Sequence, residues 1–554
     1  RICWHAKHYL PNQAIPRLST STMVKAHRMS SLSILVALAC TIPAWSVLHG
    51  DGLQRRSSPL TQDEKLVDSE LEEQESLDSV LEEQEVGEVD DGPGEDESAE
   101  GIEEEEPEGD MVVDREDDQM LAADKGTKAV ETEMHNDVVL IIHSDSEVAK
   151  TGTGSWVITI PGGCSSADVH QMADHMPVGS IPEYEGNPDQ GGLCFFKMRG
   201  TKEQIKEELN SHTWSSTPIV ETDSVWFSLP DIPENQEVGA SQAAAPWGLD
   251  RIDCRQGTDM DNHYLPSNLY NQGAGVNVFV ADTGIMTTHT DFGGRAVPTL
   301  EVITSSPVWC VPNDLNCAQD NHGHGTHVAG TIGGNIFGVA KQSTIRAVKV
   351  LTDAGSGLFS WFILALDQVL IAKRAGMSPA VFTASLGGQG AYSSVKTAID
   401  QAVDGGVTVV VAAGNEGDTD TPDACMYSPA FVPKAITVGS IASNGARSWF
   451  SNYGSCIDIF APGSSVESAS ILSNTASSWK SGTSMACPHV AGAAAMILAE
   501  DNSRTSAEVL QVLLDRSTPG VLSDLKTGSP DLLVYTGDFP TPPPTPAPPT
   551  PAPP

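Results

Sequence analysis

Gly482-Thr483-Ser484-Met485-Ala486-Cys487-Pro488-His489-Val490-Ala491-Gly492 is the stretch from which the rest of the chain can be read. A serine stands among small residues, just ahead of the Ala-rich apolar run Val490 to Leu498, which reads as a buried helix. A hydroxyl at a helix N-terminus meets free backbone N–H groups and the positive end of the helix dipole, both suited to a developing negative charge on oxygen. Gly482 and Ala486 leave room for another backbone to approach. Alone, a Gly-Thr-Ser turn into a core helix is commonplace, so its meaning depends on its partners.

Two partners lie upstream. The apolar runs Val276 to Ala281, Ala347 to Leu351 and Val407 to Ala413 show no polar alternation, and helical stretches at Phe359 to Ala375 and Ser393 to Val403 fall between them. Such strands form a parallel sheet covered on both faces, with its site at the carboxyl ends of the strands. The first run ends in Asp282-Thr283-Gly284-Ile285, which sets a carboxylate at that end. In His322-Gly323-His324-Gly325-Thr326-His327-Val328-Ala329-Gly330-Thr331, glycines permit close backbone approach ahead of a second buried helix. A serine hydroxyl becomes a nucleophile at neutral pH beside an imidazole whose tautomer a carboxylate holds.

The chain order Asp282, His324, Ser484 is that of subtilisin, and it differs from the chymotrypsin and α/β-hydrolase orders. With Ala245-Pro246-Trp247-Gly248-Leu249-Asp250-Arg251-Ile252, which looks like the start of a mature enzyme, residues 245–536 resemble a subtilisin-like serine protease of the proteinase K and aqualysin branch. The resemblance implies an α/β, three-layer fold with a mostly parallel sheet. It makes Ser484 the nucleophile, His324 the general base and then acid, and Asp282 the orienting carboxylate, with Asn415 in Ala412-Ala413-Gly414-Asn415 completing the oxyanion hole. Gly355-Ser356-Gly357 and Ser385-Leu386-Gly387-Gly388 match the strands that pair with substrate, and Ala412, Ala413 and Gly414 match a pocket floor for large apolar or aromatic residues. The departure is Thr383-Ala384, where Asn-Met is common.

The same resemblance implies structural calcium, held by the Pro433 and Ala435 carbonyls and the Asp458 carboxylate, oxygen ligands that suit a hard cation. It pairs Cys425 with Cys456. From the sequence alone Cys310 and Cys317 can close a short local loop, and Cys164 and Cys194 can pair upstream, while Cys487 reads as a buried free thiol. His327 and His489 read as packed, structural histidines. A rival zinc reading of His322-x-His324-x-x-His327 lacks an Asp where Thr326 stands. A binding module on a dead protease scaffold is disfavoured by the presence of Asp282, His324, Ser484 and Asn415 together.

The 554 residues carry a net charge of −43, but residues 51–136 alone hold 32 acidic against 6 basic residues, a net of −26. That composition predicts an acidic leader without a core of its own and excludes nucleic acid as a natural partner. Ahead of it, residues 1–50 contain Met23 and Met29 as candidate starts, then Lys25, His27 and Arg28 before the apolar run Leu32 to Cys40, the outline of a signal peptide and of a secreted protein. Nothing later is long and apolar enough to span a membrane as a helix. Residues 137–229 read as a β-α-β-β-α-β, ferredoxin-like unit with Val138 to Ile142 as its first strand, one interior strand inferred, and Val225 to Leu229 as its last. By position this small α+β domain is similar to the family's inhibitory propeptide, with 230–244 as the processing linker. The Pro/Thr-rich residues 537–554 predict an extended tail or a linker to another module. The expected partners are peptide and protein substrates and the chain's own propeptide, on a monomeric enzyme.

Overall fold

The structure, a computed structural model, describes residues 129–214, 216–232, 245–256, 260–304 and 306–538. The signal peptide, most of the acidic leader and the end of the tail lie outside the described residues.

The small domain begins with the hairpin β1 (Val130–His135) and β2 (Val138–His143) and the short helix α1 (Glu147–Thr151). There follow β3 (Thr153–Thr159), α2 (Ser166–Asp174), β4 (Ile181–Glu185), β5 (Phe195–Thr201), α3 (Lys202–Ser211) and β6 (Ile219–Thr222). Ser165 and Thr201 open α2 and α3 with reciprocal capping boxes to Asp168 and Gln204. The sheet order is β1-β2-β6-β3-β5-β4. The β-α-β-β-α-β core is therefore present, but with different strands than expected. It opens with β3, contains β4 as the interior strand, and closes with β6, while Val138–His143 belongs to an added edge hairpin. Hairpin strand β1 also begins ahead of residue 137.

Strand β7 (Val225–Ser228) corrects the sequence reading further. It leaves the small sheet and lies between two strands of the main domain, β12 (Ser356–Leu358) and β14 (Leu386–Gln389). Alternation within five residues cannot say which sheet a strand completes, and here the vacant place lies in the other domain.

In the main domain the large sheet runs β10-β9-β11-β8-β13-β15-β17-β18-β22-β21, with β10 (Val308–Trp309) at one edge and β22 (Leu532–Leu533) and β21 (Thr518–Pro519) at the other. Its parallel centre comprises β8 (Asn277–Asp282), β9 (Ala296–Glu301), β11 (Thr344–Lys349), β13 (Ala380–Ala384), β15 (Thr408–Ala412), β17 (Ile436–Ile441) and β18 (Ile459–Pro462). Val278, Val280, Val381 and Val410 are all buried, as strands covered on both faces require. From β8 the chain builds one side of the sheet with β9 and then with β11, which fills the place between them, and crosses to build the other side from β13. Strand order thus reverses beside β8, and its carboxyl end is the switch point at which such folds place their sites.

On one face pack α4 (His324–Gly333) and α5 (Thr483–Glu500), both buried along their core-facing lengths. A Cβ on Gly492 would stand 2.7 Å from Val339 Cβ, so a larger residue would force that neighbour aside. The other face is covered by α6 (Phe359–Arg374) and α7 (Ser393–Asp404), whose Phe362, Val369, Val395 and Ile399 join one apolar cluster with β13 and β15. Among the described residues no helix is long and apolar enough to cross a membrane.

Candidate active site

Asp282 ends β8 with no exposed surface, and its Oδ1 accepts from the backbone N–H of Thr283 at 2.8 Å and from His324 Nδ1 at 2.8 Å. Since a carboxylate only accepts, the imidazole must carry its proton on Nδ1, which leaves Nε2 as the acceptor a general base needs. Gly325 makes this approach possible, because a Cβ there would fall 2.2 Å from the Gly284 carbonyl and 3.1 Å from Asp282 Oδ1. Burial acts to lower the pKa of His324, but the Asp282 charge and hydrogen bond, with a further contribution from Asp231, carry it above the ordinary histidine value.

Asp320 was not singled out from the sequence. It accepts from the backbone of Gly323 at 2.8 Å, from that of Thr326 at 2.8 Å, and from the hydroxyls of Thr283 and Thr326 at 2.8 and 2.6 Å. A buried carboxylate thus anchors the first turn of α4 and ties it to the turn after Asp282. Its signal, an acid four residues before His324, is too short to separate from ordinary loop acids.

Ser484 is the second residue of α5 and fully buried. Its Oγ donates to the Ser385 carbonyl at 3.3 Å, while buried His324 Nε2 has no hydrogen-bond partner. Asn415 Oδ1 accepts from both the N–H and the hydroxyl of Thr483, each at 2.9 Å, which turns the amide N–H groups toward the cleft. There Asn415 Nδ2 donates to the Pro230 carbonyl at 3.0 Å.

The two expected substrate strands hold the chain's own tail. Phe227 pairs with Ser356 on one side and Gly387 on the other; Ser228 N donates to Gly355 O at 2.8 Å and Leu229 N to Ser385 O at 3.4 Å. Trp226 is buried against Phe359, Phe362 and Tyr392, at ring separations of 6.0, 5.8 and 5.3 Å. A Cβ on Gly388 would meet its indole at 2.8 Å, so the glycine makes the room. Leu229 belongs to the same buried cluster as Ala412, and Ala413 and Gly414 follow at the end of β15. Beyond Pro230, Ile232 N donates to Ser481 O at 3.0 Å and Asp231 pairs with Lys480.

The remaining histidines are engaged elsewhere. His327 Nε2 lies 3.1 Å from the carbonyls of both Val466 and Ser478, and burial pushes its pKa down to about 3. His489 Nδ1 binds the Met485 carbonyl at 2.8 Å, and burial takes its pKa to about 4. His322 is exposed. With His324 turned to Asp282 and His327 to two carbonyls, the three imidazoles of the rival zinc reading do not converge. Burial pushes the Cys487 thiol up to about 12, which leaves it unreactive. Cys310–Cys317, Cys425–Cys456 and Cys164–Cys194 are disulfide-bonded, and among the described residues Cys254 and Cys487 stand outside these three bridges.

For calcium, Asp458 is the informative group. It is half-buried, one of its oxygens accepts from Thr437 N at 2.8 Å, and desolvation pushes its pKa up to about 6. A cation beside it would remove that penalty, and backbone carbonyls such as those of Pro433 and Ala435 are oxygen donors of the kind calcium takes. Asp250, Asp253 and Cys254 form a further group with metal-compatible spacing.

A carboxylate, an imidazole and a serine at the switch point of a parallel α/β sheet, beside an amide donor and two strands that embrace an extended peptide, define a serine hydrolase that acts on polypeptide. The chain matches the Peptidase_S8 model, the subtilase family, over residues 273–532. It is 47% identical over 307 residues to the "Extracellular serine proteinase" of Thermus sp. (strain Rt41A), covering 55% of this chain and 70% of that protein. It is 44% identical over 297 residues to the "Alkaline serine exoprotease A" of Vibrio alginolyticus, covering 54% and 51%. A solved structure, "Crystal structure of a cold adapted subtilisin-like serine proteinase", matches at 40% identity and a TM-score of 0.47, covering 54% of this chain and all of that one. The chain belongs to the subtilase family, in the proteinase K and aqualysin group, and is a subtilisin-type serine endopeptidase.

Proposed function

We propose that the enzyme is made for export as a zymogen, that Ser484, His324 and Asp282 work as its catalytic triad, and that residues 137–229 form its inhibitory propeptide. The observation that carries this reading is β7 lying between β12 and β14, with the Pro230 carbonyl on the Asn415 amide. The Thermus relative, an "Extracellular serine proteinase", supports export.

In the reaction the Ser484 hydroxyl turns from the Ser385 carbonyl toward His324 Nε2, which takes its proton as Oγ attacks the substrate carbonyl carbon. The oxyanion is held by the Asn415 amide and the Ser484 backbone N–H. As the C–N bond breaks, the imidazolium returns the proton to the leaving amine, and an acyl-enzyme remains. Water, activated by the same imidazole, hydrolyses that ester and restores the serine. The environments of Trp226 and Leu229 favour substrates with large apolar or aromatic residues ahead of the scissile bond. Self-processing cuts within the linker 230–244.

Substitution Ser484→Ala tests the reading: peptide hydrolysis and self-processing are both lost and the precursor accumulates. Full maturation of that variant in a protease-free host would contradict it. Calcium at Pro433, Ala435 and Asp458 stabilises the fold by binding the native state alone. Titrating calcium into chelator-treated enzyme therefore raises Tm, and Asp458→Ala removes most of the rise; an unchanged Tm in the wild type would count against this site.

A further inference from the structure

The bound tail carries more information than its mode of inhibition. Two hydrogen bonds fix its register on the leaving-group side, Asn415 Nδ2 to Pro230 O at 3.0 Å and Ile232 N to Ser481 O at 3.0 Å. Asp231 lies between them; with Asn415 as the oxyanion donor, the carbonyl it holds belongs to the residue before the scissile bond, which makes Asp231 the first residue after it. Its carboxylate pairs with Lys480, the last residue of β20 (Ser477–Lys480), which the antiparallel partner β19 (Val466–Ala469) holds in register through the pair Val466 and Lys480. Side-chain exposure is 19% for Lys480 and 31% for Asp231, so the pair is partly shielded from water.

Lys480 is the cation that faces Asp231 directly. Lys480 acts on the Asp231 carboxylate and also on His322, His324 and His327, on which the Asp282, Asp320 and Asp231 carboxylates act in the opposite sense. Among the described residues Asp231 is the ion-pair partner of Lys480. Once the propeptide tail leaves, this ammonium stands at the cleft without it, on a chain whose overall charge is −43.

We infer that Lys480 is a specificity-determining residue that selects substrates with an acidic side chain immediately after the scissile bond, using the contact that Asp231 makes in the precursor. The inference rests on the reading that residues 225–232 lie in the cleft as a substrate does. A cation at this point attracts a carboxylate and repels an ammonium, and a partly shielded pair changes the rate for each by a fewfold.

The test uses processed enzyme recovered from the full-length chain and three internally quenched peptides that differ only in having Asp, Ala or Lys after the cleaved bond, with the cut position verified by mass spectrometry. The expected order of kcat/KM is Asp, then Ala, then Lys, with Asp over Lys by about tenfold at low salt and less at high salt. Lys480→Glu reverses the order, and Lys480→Arg keeps it, which a merely structural role would not produce. Equal Asp-to-Lys ratios in the wild type and Lys480→Glu would overturn the inference. If Ser484→Ala cleaved the Ala peptide as fast as the wild type, the underlying catalytic reading would fall instead, so the two failures are distinguishable.

Discussion

His324 and His327 sit three residues apart on one helix, yet their surroundings send them in opposite directions. Both are buried, and burial disfavours the charged imidazolium in each. His324 has the Asp282 carboxylate 2.8 Å from Nδ1 and is carried above the ordinary value, so it can accept a proton when a serine gives one up. His327 meets only carbonyls and falls to about 3. Changing Asp282 to Asn removes both the negative charge and the tautomer control. The expected result is a fall in kcat of about 10⁴-fold, the scale known for triad carboxylates. The sign of the pH effect follows from the same contact: the base works only when neutral, and without Asp282 its pKa drops, so the acidic limb of kcat/KM moves to lower pH. A pH–rate profile that keeps its acidic limb in place would show that Asp282 does not set the ionisation of His324. These three residues were legible in the sequence because each needs small neighbours for close approach, and that requirement leaves a local pattern. Asp320 and Lys480 leave none, since their partners are defined by folding rather than by adjacent residues.

Helices α6 and α7 begin at Leu358 and Tyr392, whose side chains make no capping hydrogen bond. The small domain supplies what is missing. Asp223 accepts from the Ser360 N–H at 3.2 Å and its hydroxyl at 2.6 Å, and Glu221 accepts from Ser394 N at 2.9 Å. Two carboxylates therefore sit at the positive ends of two helices across the interface. Further contacts tie the surfaces together: Asp367 accepts from Leu193 N and from the Tyr184 hydroxyl, both at 2.6 Å, and Gln401 bridges Ile160 O and Cys194 N at 3.0 and 3.1 Å. Replacing Glu221 by Ala in a separately made propeptide removes one cap, at a cost of about 1 kcal/mol, or about fivefold in the inhibition constant. An unchanged constant would mean that the cap does not contribute to docking. At this scale the sequence was partly legible. The capping boxes of α2 and α3 lie within four residues and could be read directly. The caps of α6 and α7 come from more than a hundred residues away, and β3 was missed because Thr153, Gly154 and Ser155 dilute its apolar run.

Across the whole molecule, a small six-stranded domain lies against the α6 and α7 face and sends its last strand into the cleft of a larger parallel sheet. On the proposed reading of residues 137–229 as a propeptide, the same set of contacts serves both inhibition and assistance in folding. Parallel sheets bring together residues far apart in the chain and therefore form slowly, whereas the small domain offers a preformed surface with caps already in place. The fold class could be read from apolar runs and motif order. The docking could not, because β7 has the same alternation whichever sheet receives it. At this scale Ser484 is the proposed nucleophile, and residues 225–232 are what block access to it. Treating the intact Ser484-containing precursor and the processed enzyme with a serine-directed phosphonyl reagent, and mapping the adduct by mass spectrometry, tests both halves together. The account predicts rapid modification of Ser484 in the processed enzyme, with loss of activity, and slow modification while residues 225–232 occupy the cleft. Failure to modify Ser484 in active processed enzyme, or equal rates in the two forms, would contradict it.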